Sequence, residues 1–461
     1  MKINFIKLLY EEENNMRKNK GITLVALVVT IVVLLILAGV SINLVLGNNG
    51  IIAKAKDAET KSAEASQNDL KGMNGLVSKM EGALAGNGST GSGSGNGGAG
   101  GSGADTKVPA EATAETAPYF PDNTFTKKEG TIDTGLVIQD ASGNEYVWVV
   151  VPRTTAVYAT TGLGKTTFSD ADYTSIENDL KEYTKTYRGS TSFITDTWYA
   201  DDKNEGWLSE TEYKTLKNSM LKSVYENGGF YVGRYEAGIE TTGTNRTSNT
   251  DKNSDGKYIM PSIAPVTKAD AYPYTYVTRT QAQNLASNVN SGTKTSSLMF
   301  GVQWDLVLAF MHNKGNIEDS TLTSNSTTIG NYYNSTFDLN RGKYAQCGQL
   351  GNTWKNFDSA LDSIVVSNET TGKMKKTEQN SYQNGILLTT GGTEQSKVMN
   401  IYDIAGNVYE WTLEKTPNTY EPCVTRGGLF NDTGSYRPAA EHGGSSSGHS
   451  FYSIGFRVSI F

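Results

Sequence analysis

Two cysteines and three histidines in 461 residues leave little for thiol or metal chemistry. A structural zinc site needs closely spaced pairs of such ligands, and Cys347 and Cys423 form none. There is no basic excess either. The chain has 41 Lys+Arg against 48 Asp+Glu, a net charge of -7, so it offers no field to a phosphate backbone and no nucleic-acid partner is expected. Hydrophobic residues are scarce at 37%, while Gly (49) and Tyr (25) are abundant. At roughly 150 residues per domain, the length allows up to about three domains.

One stretch lacks charge altogether. From Ile22 to Leu46 no ionisable side chain occurs. At about 1.5 Å per residue such a helix reaches across a bilayer core. Arg17, Lys18 and Lys20 stand just before it, which predicts a cytoplasmic N-terminal side and an extracellular remainder. A secretory signal peptide would have a shorter apolar core and a small-residue cleavage site, which the sequence does not offer. The expectation is a single-pass protein of the cell membrane.

The run Lys20-Gly-Ile-Thr-Leu-Val-Ala26 resembles the leader of type IV prepilins. That resemblance implies a prepilin peptidase that cuts between Gly21 and Ile22, and other pilin subunits as partners. Met16 opens a short basic leader of the same kind, so the start is Met1 or Met16. The family's Glu, five residues into the mature chain, is here Ala26, which leaves polymerisation open. An ordinary single-span anchor is the other reading of the same run.

After the leader (1–21) and the membrane helix (22–46), residues 47–85 read as a stalk helix. Leu70, Met73, Leu76 or Val77, Met80 and Leu84 keep three- and four-residue spacing, weakened by Gly72, Gly75 and Gly82. A Gly/Ser tract and a Pro/Ala/Thr-rich segment over 86–123 predict a flexible linker. The head, 124–461, is predicted α+β, with few helices and many irregular loops. Strands are expected at Tyr146–Val151 and Phe230–Tyr235, and helices at Thr280–Asn288 and Gln303–Met311. The second helix reads as amphipathic around Trp304, Leu308 and Met311. Thr241–Lys257 and Asp319–Asn334 read as loops.

Near the C-terminus three pieces recur in order: Asn400-Ile-Tyr-Asp-Ile-Ala-Gly-Asn-Val-Tyr-Glu-Trp-Thr412, Arg426-Gly-Gly428 and Ile454-Gly-Phe-Arg-Val458. Together they resemble the sulfatase-modifying-factor family, whose founding member is the formylglycine-generating enzyme. The resemblance implies a variant of the C-type-lectin fold over about residues 145–461. Gly406-Asn407 should supply a positive-φ turn, and Gly427-Gly428 a close backbone approach. Strand alternation should turn Tyr409 and Trp411 inward and Glu410 outward. The family's oxidase uses two Cys, five apart, after the Gly-Gly pair. Leu429-Phe-Asn-Asp-Thr-Gly-Ser-Tyr-Arg437 has none, and its oxygen and amide groups do not suit soft Cu(I).

The stretch 429–453 instead reads as a contact surface. Phe430, Asn431, Asp432, Tyr436, Glu441, His442, His449, Phe451 and Tyr452 stand among Gly and Ser, the composition of a paratope. The layout also resembles variable-protein relatives of the fold, in which this interval is diversified. Calcium is the one cofactor expected. Asp251, Asn253 and Asp255, with Gly256, match half of a calcium loop, whose twelfth position is Ser262 rather than Glu. The family resemblance adds Asn407 and Glu410. Cys347 and Cys423, both in the exported head, are expected to be bridged, closing a loop of about 76 residues. The reading is a pilin-like, surface-displayed adhesin or receptor whose catalytically inactive head binds a glycan or protein ligand on other cells. A modifying-factor-type oxidoreductase and a structural minor pilin are the alternatives.

Overall fold

The computed structural model describes residues 116–347, 353–357, 364–368 and 373–461. The leader with Gly21 and Ile22, the apolar run and the stalk lie outside the described residues. Among the described residues no helix is long and apolar enough to cross a membrane. The fold is mixed helix and sheet, consistent with the α+β expectation.

The segment 116–123, which the sequence assigns to the linker, is packed. Thr116 Oγ1 accepts from Trp148 Nε1 (3.0 Å) and donates to Gly228 O (3.2 Å). Tyr119 lies edge-on to Trp148 and Tyr231. Then come β1 (Thr126–Glu129), β2 (Val137–Gln139) and β3 (Glu145–Val150). Next are α1 (Asp170–Tyr183), the one-turn α2 (Lys185–Arg188) and α3 (Glu210–Asn227), which ends at left-handed Gly228 and enters β4 (Gly229–Gly233). The middle holds β5 (Gly238–Ile239), β6 (Tyr272–Pro273), α4 (Arg279–Ser287), β7 (Ser296–Leu298), α5 (Gly301–Asn313) and α6 (Asp319–Thr323). Five short strands follow, β8 (Phe337–Leu339), β9 (Lys343–Gln346), β10 (Lys355–Asn356), β11 (Val365–Asn368) and β12 (Lys373–Lys376). The chain closes with β13 (Ile386–Leu388), β14 (Tyr409–Lys415), β15 (Cys423–Arg426), β16 (His442–Ser445), β17 (Ile454–Phe456) and β18 (Val458–Ile460).

The largest sheet has the order β1-β2-β3-β4-β18-β7, so the last strand is inserted between β4 and the edge strand β7. A second sheet, β16-β15-β14-β17, pairs β14 with β17 in parallel. Arg457 is the single residue between β17 and β18, where the chain passes from one sheet to the other. The expected strands at 146–151 and 230–235 are β3 and β4, and the expected helices at 280–288 and 303–311 are α4 and α5.

Several elements differ from expectation. Helix α5 has no solvent face: every residue from Gly301 to Met311 is buried, the polar Gln303 and Asp305 included. Its N-terminus is capped from far away, Asp196 accepting from the backbone N–H of Gly301 (2.6 Å) and Val302 (3.1 Å). Helices α1 and α3 were not expected. Each opens on a reciprocal capping box, Ser169 with Asp172 and Ser209 with Glu212. The expected loop 319–334 begins with α6.

Candidate ligand-binding face

Two buried charge clusters hold the sheets together. In the first, Arg426 Nη2 lies 2.7 Å from Asp305 Oδ1, and its Nη1 lies 3.2 Å from Glu414 Oε2. Arg188 approaches the same two carboxylates from α2, at 2.6 and 3.2 Å. The His442 ring adds Nε2 at 3.4 Å from Glu414. Burial opposes the Glu414 charge, but Arg426, His442 and Arg188 outweigh it and hold the carboxyl well below the usual range.

The second cluster has three buried carboxylates and one guanidinium. Arg457 pairs with Glu410 (2.6 Å) and donates to the carbonyls of Gly233 (3.0 Å) and Tyr402 (2.9 Å). Glu236 accepts from Asn407 Nδ2 (2.7 Å) and Val408 N (3.2 Å). Burial, then the neighbouring Asp403 and Glu410, push the Glu236 carboxyl far above its ordinary value.

These contacts correct the calcium expectations. Glu410 does not face outward: it is buried and held by Arg457. Asn407 does adopt the expected left-handed turn (φ 57°), but its Oδ1 accepts from Asn331 Nδ2 and Leu388 N, both at 3.0 Å. Both acceptor positions of the Asn407 oxygen are thus filled, and a cation at Glu410 would meet the Arg457 guanidinium. In the other loop, Asn253 Oδ1 accepts from the N–H groups of Asp255 and Lys257, both at 3.0 Å. That oxygen closes a turn next to the Lys252–Tyr258 bridge, leaving Asp251 and Asp255 without the alternating donor set that calcium needs. Among the described residues no three His, Cys, Asp or Glu side chains converge on a metal position.

The expected disulfide is also corrected. Cys423 lies in the main core, where burial pushes its thiol up to about 11. Cys347 packs instead against the small cluster of Leu387, Val408 and Phe430, and no disulfide joins the two.

The expected contact surface separates into three layers. Phe430 and the His442 side chain are buried, so neither anchors a ligand: one is core, the other belongs to the first charge cluster. Asp432, Tyr436 and Glu441 gather around Arg437. Its Nη1 pairs with Glu441, its Nε lies 3.9 Å from Asp432, and its guanidinium covers the Tyr436 ring at 4.4 Å. Tyr436 is 63% exposed. The close backbone approach expected at Gly427-Gly428 underlies this loop, since a Cβ on Gly428 would stand 2.3 Å from Arg437 O.

The third layer is aromatic. Phe451 (45% exposed) and Tyr452 have ring centroids 4.3 Å apart, and Tyr452 lies 6.1 Å from buried Phe430. His449 flanks Phe451 at 6.0 Å. The Tyr452 hydroxyl is pushed up to about 12 by burial and by Cys347, and Asn431 Nδ2 donates to Cys347 Sγ at 3.8 Å. Trp354 packs on the same small cluster and on Tyr272, 4.9 Å away. Tyr276 joins through its backbone N–H, which donates to Phe451 O (3.1 Å), in a left-handed conformation (φ 57°) rare for an aromatic residue. Among the described residues, Trp354 Nε1 and Asn431 Oδ1 have no hydrogen-bond partner.

Asn431, His449, Phe451 and Tyr452 are therefore brought together, whereas Tyr436, Asp432 and Glu441 form an adjoining group around Arg437. The sequence reading missed Tyr272, Tyr276, Trp354 and the packing role of Cys347. Its one available signal was the alternation Tyr272-Pro-Tyr-Thr-Tyr276, a period-two aromatic pattern.

No family model matches the chain, and no curated protein does. Among solved structures it is similar to Treponema denticola variable protein 1, at 14% identity and a TM-score of 0.23, covering 50% of this chain and 84% of that one. It is similar at the same level to CarF, at 15% identity and a TM-score of 0.27, covering 50% of this chain and 85% of that one. A likeness this slight carries neither fold nor function across.

Proposed function

We propose that the head is a ligand-binding module whose contact face is the aromatic group of Tyr276, Trp354, Phe451 and Tyr452, bordered by Asn431 and His449. One observation carries this reading: Trp354 and Tyr452, distant in sequence, pack on the same small cluster of Leu387, Val408 and Phe430, and Tyr452 carries the exposed Phe451 ring beside it, on a scaffold fixed by buried ion pairs. Aromatic rings give large contact area at low entropy cost. In this reading residues 22–46 and the prepilin-like leader anchor the head at the cell surface. The partner is then a glycan or protein on another cell.

The test is binding of full-length protein to a glycan array and to neighbouring cells. Wild type should bind, and Phe451→Ala with Tyr452→Ala should lose at least about tenfold in affinity, the scale of a hot spot. A chelator should change nothing, because the calcium candidates are committed elsewhere. Wild-type affinity in the double variant would overturn the reading.

A further inference from the structure

Arg279 opens α4 with its side chain wholly buried, and its guanidinium has the poorest hydrogen bonding of the fully buried arginines. Nη1 makes one long bond to Glu414 O (3.5 Å), while Nε and Nη2 have no partner among the described residues. The Trp207 ring lies 4.1 Å from the guanidinium carbon. That indole is fixed by its own bond to Tyr199 O (2.6 Å). Arg279 forms no ion pair with a carboxylate of the described residues, although Arg426, Arg188 and Arg457 each do.

A guanidinium cannot shed its charge as a buried lysine can, so it needs a counter-charge or a dense set of acceptors. The polar groups around it are engaged elsewhere. Arg279 stands near enough to Cys423, Tyr199 and Tyr213 for its charge to act on their protons. The Tyr213 hydroxyl is spent on Leu413 O (2.6 Å). The acid that also acts on Cys423, Asp201, is engaged by Asn204 (2.7 Å) and Thr280 (2.5 Å).

We infer that Arg279 holds a small monovalent inorganic anion of the size of chloride, bound by Nε and Nη2 where α4 meets β14. The anion restores the charge balance that the described residues leave open and ties α4 to the second sheet.

The test uses full-length protein with chloride or gluconate as the only anion at equal ionic strength. Gluconate is too large to enter. Chloride should raise the melting temperature of the wild type by about 2–4 °C, the shift expected for modest binding to a native state of this size. In Arg279→Met that rise should vanish. Crystals of wild type soaked in bromide should show an anomalous peak beside Nε and Nη2, a readout that stands even where the variant fails to fold. Equal melting in both salts, or a bromide map with water alone at Arg279, would overturn the inference.

Discussion

The two buried charge clusters solve the same problem in opposite ways. Around Glu414, two guanidiniums and an imidazole face two carboxylates, and the result is a carboxyl held well below its ordinary range. Around Arg457, one guanidinium faces Glu410, Asp403 and Glu236, and Glu236 is pushed far above its range. Burial alone therefore does not decide ionisation; the count of opposite charges within reach does. The first cluster fastens α2, α5 and β14–β16 to one another as ions. The second positions the turn before β14 largely through neutral hydrogen bonds, with Asp403 accepting from Ser396 Oγ (2.6 Å) and Gly391 N (2.7 Å).

The largest effect should come from breaking the balanced cluster. Arg426→Met leaves Asp305 and Glu414 short of a counter-charge in a site without water contact, and should cost about 3–5 kcal/mol in denaturant unfolding. If Arg426→Met instead costs less than about 1 kcal/mol, Arg188 alone suffices for both carboxylates and the contrast drawn above fails.

A smaller effect sharpens the contrast through pH. A carboxyl whose folded value is raised, like Glu236, contributes stability that is present below the unfolded value near 4.3 and lost as pH rises through the folded value. Glu414 has the reverse sign: its contribution is present above the unfolded value and lost as pH falls through its depressed folded value. Glu236→Gln removes the titration but turns an amide NH2 toward one of the two N–H donors, so it should cost about 1–3 kcal/mol at neutral pH and flatten the loss of stability on the alkaline side. Unfolding curves from pH 4 to 9 would show it, and an unchanged slope would mean that Glu236 is ionised.

How much of this was legible depends on range. The turn at Gly406-Asn407, the tight approach at Gly427-Gly428, β3, β4 and α4 follow from local residues, and the sequence shows them. Helices α1 and α3 were equally local: their Ser169/Asp172 and Ser209/Glu212 boxes were in view but went unused amid a Thr- and Ser-rich composition. Glu410 could not be placed from alternation, because Arg457, 47 residues away, makes an inward carboxylate tolerable. The aromatic face was half visible. Phe451 and Tyr452 are adjacent in sequence, but Trp354 and Tyr276 reach them only through long-range packing, and Phe430 is claimed by the core.

The smallest stability change should fall on the face itself. Phe451 and Tyr436 are well exposed, and their rings touch mainly His449 and Tyr452 in one case and Arg437 in the other. Phe451→Ala and Tyr436→Ala should each stay within about 0.5 kcal/mol of wild type in chemical denaturation, as surface substitutions usually do. Their effects on binding should nevertheless diverge. Phe451 packs at a tilt on Tyr452, which rests on the small cluster shared with Trp354, whereas Tyr436 lies under a guanidinium already paired with Glu441. Loss of affinity in Phe451→Ala alone would confine the ligand to the aromatic group. Equal loss in both variants would extend the contact across the Arg437 loop, and the buried clusters would then support one continuous face rather than two neighbouring ones.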